Sequence, residues 1–399
     1  MPTAYTLPPA LYAKAVALGR MAVDLHFAHE LWPIALLLLL LYLRVPARLT
    51  ALLGAWTQKR WLQKILFAAI FLLLIELCLL PISIIGHHVA LRFGLSIQHW
   101  PGWFGDVAKA LALNTAIGTL LAAIVYFILA RAPRRWWLWL WIAVVPLMIA
   151  GVILTPLVVD PLFNHFEPLQ QTDPALVTQL EQVAQRSGIA IPPSRIFLMR
   201  ASAKVTETNA YVTGFGASKR VVVWDTALHN APPDQIDFLF GHELGHYVLH
   251  HIVYGMAFAA VLMMLCFRLG AAAVRWLLSR FGSCWEIPSL QHPAVLAILL
   301  LVFATAQFLT EPLANAFSRH IEHAADVYGQ EAIHGIVPDP AATAASAFQA
   351  MGQQNLITPE RRPLVEFWCD GHPTIGDRIA FAAEYHPWTE GAHPKYFRK

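Results

Sequence analysis

Charged side chains are scarce in this chain of 399 residues. Asp, Glu, Lys and Arg together make up 13% of it, while apolar residues make up 57%. A soluble globular protein carries about 25% charged residues, so a wholly soluble protein is excluded. The net charge of +3 is small, and the basic residues lie in short clusters beside apolar runs, which excludes a nucleic-acid surface. The composition indicates a multi-pass membrane protein.

Cysteine is also scarce. The four cysteines, Cys78, Cys266, Cys284 and Cys369, are scattered and form no C-x-x-C motif. Their spacing implies neither a disulfide framework nor a cysteine-based metal site, and it leaves the redox compartment open. Repeats and low-complexity segments are missing as well, apart from a leucine run at 36–41 that belongs to a membrane span.

What the sequence does have is a series of long apolar runs. Each is close to the ~20 residues that a membrane-spanning helix requires, although the first is short. The runs cover residues 30–44, 62–86, 107–130, 136–159, 252–279 and 293–313. The segment Leu11–Phe27 has helical apolar spacing and is expected at the membrane surface or against the bundle. Six transmembrane helices are therefore predicted.

Residues 160–250 differ from the apolar runs because they contain more charge and more turn residues. An amphipathic helix is predicted for Pro174–Ser187. Three short segments have the composition of strands and predict a small sheet. They are Arg195–Met199, Ala210–Thr213 and Val221–Trp224.

The stretch Phe240–Tyr247 contains His242, Glu243 and His246 in the pattern H-E-x-x-H. Positions four apart share one face of a helix, so both imidazoles can bind one metal ion while the glutamate lies beside it. Two neutral imidazoles leave zinc strongly Lewis acidic, and the carboxylate can take a proton from zinc-bound water. Because this short pattern also arises by chance, a third ligand is needed.

Candidates for the third ligand lie in Asn315–Asp326. Glu322 and Asp326 are four residues apart and would share a helix face. Glu322 could bind the metal while Asp326 accepts the free N–H of a ligand histidine. The alternative is an amphipathic helix with solvated charges, and spacing alone does not separate the two.

Together these motifs resemble the integral-membrane gluzincins that include the type 1 CAAX prenyl proteases. The resemblance rests on H-E-L-G-H at 242–246 and on N-x-x-S-R-x-x-E-x-x-A-D at 315–326. Three further stretches support it, in the family's order. They are Pro161–Leu169, Asn209–Gly214 with Lys219–Asp225, and His372-Pro373 followed by Arg378.

The resemblance implies a role for each site residue. His242, His246 and Glu322 would bind one Zn²⁺ per chain, and Glu243 would be the general base. His372 would donate to the oxyanion, with Arg378 nearby as an organising charge. The remaining expected site residues are Asp326 paired with a ligand histidine, Arg319 paired with an acid near the site, and Asn209, Ala210 and Tyr211 on an edge strand that binds the substrate.

The expected fold is mainly α: a polytopic membrane protein with about six transmembrane helices and a gluzincin-like zinc protease domain containing a small β-sheet. Eukaryotic CAAX proteases have seven spans, so the first is expected to be missing here. The expected parts are 1–159 with a lead-in and four transmembrane helices, 160–251 with the soluble α+β part and the H-E-x-x-H helix, 252–313 with two transmembrane helices, and 314–399 with the third-ligand helix and a polar, proline-rich tail.

Four other histidines and one acid lie outside the predicted site. His250 and His251 follow the metal pair and are expected at the surface or the membrane interface. His320 and His323 are expected on other sides of the Glu322 helix. Glu76 lies within the second span and either faces a water-filled cavity or hydrogen-bonds another helix.

The leading functional hypothesis is a zinc-dependent, membrane-embedded endopeptidase similar to CAAX prenyl proteases. Its expected substrate is a peptide or protein, with a lipidated substrate as one alternative. A quality-control metalloprotease of the same superfamily and a non-catalytic zinc-holding membrane protein are the alternatives. Localisation is expected in a bacterial inner membrane or an endoplasmic-reticulum-type membrane. The positive-inside rule places the catalytic part outside the cytosol, whereas the resemblance implies access from the cytosol.

Overall fold

The computed structural model describes residues 5–214, 220–389 and 392–397. Within these residues the chain is mainly helical and contains one four-stranded sheet. The predicted fold class is thereby confirmed. Helices and strands are numbered below in chain order.

Six helices are long and apolar enough to cross a membrane, as the sequence predicted. They are α1 (Pro9–Tyr42), α3 (Arg60–Phe93), α4 (Trp100–Arg131), α5 (Trp136–Leu154), α11 (His251–Phe281) and α12 (Val295–Ala332). A π-helical turn at Thr155–Val159 extends α5 into the short helix α6 (Asp160–Phe163). The described part of the chain is therefore anchored by a six-helix apolar bundle.

The first span differs from the prediction. The segment Leu11–Phe27, expected at the membrane surface or against the bundle, is continuous with the apolar run at 30–44 in one helix, α1. Pro33 lies inside this helix without ending it. A helix of twelve residues, α2 (Val45–Trp56), follows and was not predicted. It is shorter than the ~20 residues needed to cross a bilayer.

The helices of the bundle bury a shared apolar core. Phe67 and Phe71 of α3 stack on each other with ring centroids 5.3 Å apart and are fully buried. Leu129 of α4, Val274 of α11 and Ile298 of α12 pack in the same cluster. Glu76 of α3 accepts a long hydrogen bond from Asn114 of α4 at 3.5 Å, which favours the inter-helical interpretation of that acid.

The sheet contains β1 (Phe166–Pro168), β2 (Ile196–Met199), β3 (Ala210–Thr213) and β4 (Arg220–Trp224). Its order is β1-β2-β4-β3, with β2 and β4 parallel and the outer pairs antiparallel. Three of these strands were predicted. The remaining strand, β1, is only three residues long and ends in proline, so it shows little alternation of apolar and polar residues. Lys219, quoted for the family resemblance, lies outside the described residues.

Helices pack on one side of this sheet. After the short α7 (Leu169–Thr172) comes α8 (Pro174–Arg186), the predicted amphipathic helix, which begins where Asp173 accepts the Leu176 N–H. It packs with α10 (Pro233–Val248), which follows the short α9 (Asp225–Asn230) and carries the H-E-x-x-H pattern. The site helix thus lies between the sheet and the end of the bundle.

The segment expected as a polar tail contains three helices: α13 (Pro340–Gln354), α14 (Pro363–Cys369) and α15 (Ile375–Glu384). Its prolines begin helices rather than prevent them, because Pro340 and Pro363 occupy first-turn positions where no amide hydrogen is needed. Phe348 of α13 packs edge-to-face on Phe238 of α10, with centroids 5.1 Å apart. Helix α13 therefore packs directly on the helix that carries the H-E-x-x-H pattern.

Candidate metal centre

Two helices bring the predicted ligands together. His242 and His246 lie on α10 and Glu322 lies on α12, which runs unbroken from the membrane span into the site. The Nε2 atoms of the histidines are 3.1 Å apart. Glu322 Oε2 is 3.3 Å from His242 Nε2, and Glu322 Oε1 is 3.5 Å from His246 Nε2.

This spacing fits a metal ion. Ligand atoms bound at about 2.0–2.2 Å to a tetrahedral ion lie roughly 3.3–3.6 Å from one another. The three donor atoms form the one such group of histidine, cysteine and acidic side chains found among the described residues. Two imidazoles and one carboxylate are a common catalytic donor set and leave a fourth position for water or substrate. His242, His246 and Glu322 could therefore hold a metal.

Small residues let the two helices approach closely enough for this. A Cβ added to Gly329 of α12 would lie 2.8 Å from the backbone nitrogen of His242. A Cβ added to Gly245 of α10 would lie 2.9 Å from the Cβ of Tyr328. Any larger residue at either place would separate the carboxylate from the histidine pair.

A buried carboxylate lies behind the first histidine. Asp326 Oδ1 is 2.9 Å from Nδ1 of His242, as the four-residue spacing from Glu322 predicted. Arg378 donates to both oxygens of Asp326, at 2.9 and 2.5 Å. Burial alone would lower the pKa of His242, but the two carboxylates outweigh it and raise the pKa to about 10. A metal ion at Nε2 would therefore compete with a proton for this ring.

Glu243 lies beside the ligand histidines at the edge of a cleft. Its Oε2 accepts a hydrogen bond from the Val212 N–H of β3 at 3.4 Å. Burial raises the pKa of Glu243, partly offset by the imidazoles of His242 and His246. A carboxylate with a raised pKa is a better proton acceptor than a solvated one, as a general base requires.

The cleft itself has a volume of about 550 Å³. It brings together most of the residues that the sequence singled out. Its polar lining includes His242, Glu243, Asn209, His372 and Arg378. Leu18 and Ala22 of α1, together with Met351 and Leu356, form an apolar wall.

The predicted substrate strand lies at this cleft. β3 is at the edge of the sheet, paired on one side with β4. Its other side faces Glu243 through the Val212 N–H. Asn209 and Ala210 line the cleft, but the Tyr211 side chain packs on the sheet with Val222. Tyr211 is paired with Val222 of β4 and is not among the residues that line the cleft.

His372 lies on the loop between α14 and α15. Its Nε2 is 3.3 Å from Glu322 Oε2, and 62% of its side chain is exposed. The family resemblance alone implied a position for His372 near the predicted metal ligands, and the fold brings it close to Glu322. From this position an imidazole N–H can reach a ligand in the cleft.

Arg319 makes contacts other than those expected. It donates to the backbone carbonyls of Glu366 at 3.1 Å and Asp370 at 2.5 Å instead of pairing with an acid near the metal ligands. Asn315, one turn earlier on α12, donates to the carbonyl of Trp368. Both side chains fix the end of α14, and through it the loop that carries His372. The prediction of an acidic partner for Arg319 was wrong because α14 was not foreseen.

His251 was also misplaced by sequence analysis. It is 6% exposed, and its Nδ1 is 3.1 Å from Nδ1 of the ligand histidine His246. His250 is exposed, as expected, and so are His320 and His323. Nothing in the sequence marks His251, because the helix break before it is visible only in the structure.

Comparison with known proteins identifies the family. The sequence model described as "Peptidase family M48" matches residues 170–386. A second model, "CAAX prenyl protease N-terminal, five membrane helices", matches residues 2–165. Helices α1 to α5 lie in that segment. Four of these five helices, α1, α3, α4 and α5, are long and apolar enough to cross a membrane, and α2 is not among them.

Several relatives cover most of the chain. The "Uncharacterized metalloprotease YhfN" of Bacillus subtilis is 31% identical over 81% of this chain and 74% of its own length. "CAAX prenyl protease 1" of Saccharomyces cerevisiae is 26% identical over 79% of this chain and 71% of its own. The crystal structure of S. mikatae Ste24p shares the fold, with a TM-score of 0.82 at 22% identity, covering 96% of this chain and 92% of that one.

These matches and the apolar helices agree on one class of protein. The family implies a metal, and the site that could hold it is made by α10 and α12. The chain belongs to peptidase family M48 and is a multi-pass integral-membrane metallopeptidase.

Proposed function

We propose that this chain is a zinc-dependent endopeptidase that uses one Zn²⁺ held by His242, His246 and Glu322. One observation carries the proposal. Three donor atoms from two helices converge at 3.1 to 3.5 Å, and Glu243 lies beside them at the edge of a cleft. When bound, zinc would polarise the scissile carbonyl and lower the pKa of water.

Glu243 acts as the general base. It takes a proton from the attacking water and delivers it to the amine nitrogen that leaves when the peptide C–N bond breaks. Burial raises the pKa of this carboxyl, which suits both the uptake of the proton from water and its delivery to the leaving nitrogen. Glu243 is not needed to complete the three-ligand set, so a purely structural metal site would not require it.

The β3 edge binds the substrate backbone. An extended peptide can add to the sheet as a further strand, with main-chain hydrogen bonds to the side of β3 that β4 leaves open. Asn209 at the start of this edge can bond the peptide through its side chain. The scissile bond of a peptide paired in this way would lie next to Glu243, since Val212 N–H is 3.4 Å from its carboxylate.

Two further groups complete the proposed mechanism. His372 donates a hydrogen bond to the oxyanion of the tetrahedral intermediate, a role that preorganised donors fill in peptidases. Arg378 and Asp326 keep His242 oriented, because Asp326 contacts the imidazole Nδ1 and Arg378 neutralises the buried acid. Arg319 holds the loop on which His372 lies.

The substrate is proposed to be a peptide that carries a prenylated cysteine. The names of the yeast relative and of others from plants and animals support this proposal. The apolar wall of the cleft includes Leu18 and Ala22 of α1, a membrane helix, so a bound peptide can keep a lipid chain close to the bilayer.

Cleavage of defined peptides tests the proposal. The full-length protein, purified with zinc, is given peptides that end in a prenylated cysteine followed by three residues, and the same peptides without the lipid. Mass spectrometry of the products should show cleavage mainly of the lipidated set. Equal cleavage of both sets would favour a quality-control peptidase over a prenyl-directed one.

A Glu243→Gln protein provides the control for catalysis. It should retain bound zinc and lose cleavage by about 10²- to 10⁴-fold, because a general base contributes that much. Unchanged cleavage by this variant would contradict the assigned mechanism. Zinc bound with no cleavage of any peptide would support a protein that only holds the metal.

A further inference from the structure

His251 occupies an unusual place in the backbone. Helix α10 ends at Val248, and α11 begins at His251. Between them His250 has a left-handed conformation with φ of 56°. In one continuous helix a residue five positions after His246 would point about 140° away from it. The break at His250 instead turns the chain so that His251 faces the ligand histidine.

The contact is close and buried. The Nδ1 atoms of His251 and His246 are 3.1 Å apart, and the rings meet edge-to-face with centroids 5.1 Å apart. His251 is 6% exposed. A residue other than glycine with positive φ is uncommon, and such strain persists where the surrounding structure holds it. Here the positive φ of His250 places His251 against His246, behind the candidate metal centre.

The chemistry of the metal ligand fixes the direction of this hydrogen bond. Nε2 of His246 faces Glu322 and His242, so Nε2 is the atom that would bind the metal. A neutral imidazole bound through Nε2 carries its proton on Nδ1. His246 therefore donates and His251 accepts, which requires a neutral His251 protonated on its own Nε2.

We propose that His251 is a positioning residue for His246, holding that ring in the tautomer and orientation that metal binding needs. This inference rests on the proposed zinc peptidase function. The two ligand histidines would then be supported differently. His242 contacts the carboxylate of Asp326, whereas His246 donates to a neutral imidazole. Partners of this kind orient the metal's ligands, and their loss costs about 10- to 100-fold in metal affinity.

A pair of variants tests the acceptor itself. Asparagine and leucine have similar volumes, but only asparagine can present an acceptor near the position of the histidine Nδ1. The apo form of the full-length protein is titrated with Zn²⁺ in competition with a chelating dye. His251→Asn should bind zinc almost as tightly as the wild type, whereas His251→Leu should bind about 10- to 100-fold more weakly.

The neighbouring exposed histidine supplies a matched control. His250→Asn keeps a side chain that tolerates positive φ and should leave zinc affinity unchanged. If His251→Leu fails to fold, His251→Ala replaces it in the comparison, since it introduces no clash. Equal zinc affinity of the acceptor and non-acceptor variants would overturn the positioning role. A wild-type protein that binds no zinc would instead overturn the proposed function.

Discussion

The membrane bundle and the layer that carries the metal centre bury different kinds of residue. We call the described residues within 164–250 and 315–389 the catalytic layer. All the carboxylates that are under 9% exposed in the described chain lie in it: Asp225, Asp237, Glu322, Asp326 and Glu331. The described part of the bundle outside this layer buries no carboxylate and packs through apolar side chains.

This difference affects how sensitive each region is to substitution. Apolar packing in the bundle is non-directional, and lipid covers the faces that the helices leave exposed. A buried carboxylate instead depends on specific partners, because an unpaired charge away from water is costly. Glu331, for example, accepts the backbone N–H groups of Lys395, Tyr396 and Phe397. Single substitutions should therefore act far more strongly in the catalytic layer.

The largest effect is expected for Arg378→Ala. It would leave Asp326 buried beside His242 without its cation, and breaking a buried pair from one side costs about 3–5 kcal/mol. Thermal unfolding of the full-length protein in detergent measures the loss. The control is Arg44→Ala, which breaks the exposed pair with Glu286 at the other end of the bundle and should cost under about 1 kcal/mol. Similar losses from both variants would contradict the comparison.

A pH-dependent effect is expected at Asp237. Burial raises the pKa of this carboxyl to about 7; the hydrogen bond from Gln179 opposes the rise and the charge of Asp234 adds to it. The unfolded chain has a pKa of about 3.9 for aspartate. The contribution of Asp237 to stability is therefore full below about pH 4, falls as the pH rises towards 7, and stays low above it.

Asp237→Asn should remove this dependence. The variant should match the wild type near pH 4 and be more stable at pH 8, by up to about 4 kcal/mol. Unfolding midpoints of both proteins across this range measure the difference, with the exposed Glu384→Gln as the control. A variant that is equally destabilised at every pH would show that Asp237 is charged in the folded protein.

The sequence predicted the parts of the site that depend on regular helices. The four-residue spacings of His242 with His246, and of Glu322 with Asp326, determine which side chains share a face. In the structure His242 and His246 face each other, and Glu322 and Asp326 both face His242. Neither spacing predicts that α10 and α12 are in contact. That contact depends on close approach at Gly245 and Gly329, whose role is visible only once the two helices are placed together.

Features that depend on where one helix ends and the next begins were not predicted. The left-handed turn at His250 brings His251 to the candidate metal centre, and no residue pattern predicts this turn. The helices of the segment after 330 were missed because the segment was interpreted as a polar, proline-rich tail, although Pro340 and Pro363 start helices there. Arg319 was given the wrong partner for the same reason, since its carbonyl acceptors lie at the end of α14.

A smaller effect is expected from enlarging a glycine between α10 and α12. Gly329→Ala would place a Cβ 2.8 Å from the backbone nitrogen of His242, and overpacking of this kind costs about 1–3 kcal/mol. Zinc affinity should fall with stability, because the helices that hold the ligands move apart. Gly151→Ala in α5 is the matched control. Nothing lies within 4 Å of its added Cβ, so no loss is expected.

The smallest effect is expected at helix starts, where the two regions also differ. Asp339 accepts the N–H groups of Ala341 and Ala342 at the start of α13, both at 3.1 Å. The six membrane helices, as described here, begin without such a side-chain bond. Asp339→Ala should cost about 1 kcal/mol, since it removes a helix cap.

Lys59→Ala, which replaces the residue just before α3, is the control for this cap and should leave the unfolding midpoint unchanged. Because α13 carries Phe348 and Met351 to the cleft, the loss of its cap should also raise KM more than it lowers kcat. An equal shift of the unfolding midpoint in both variants would mean that the starts of soluble and membrane helices contribute equally to stability. The contrast between the two regions would then lie in their buried charges alone.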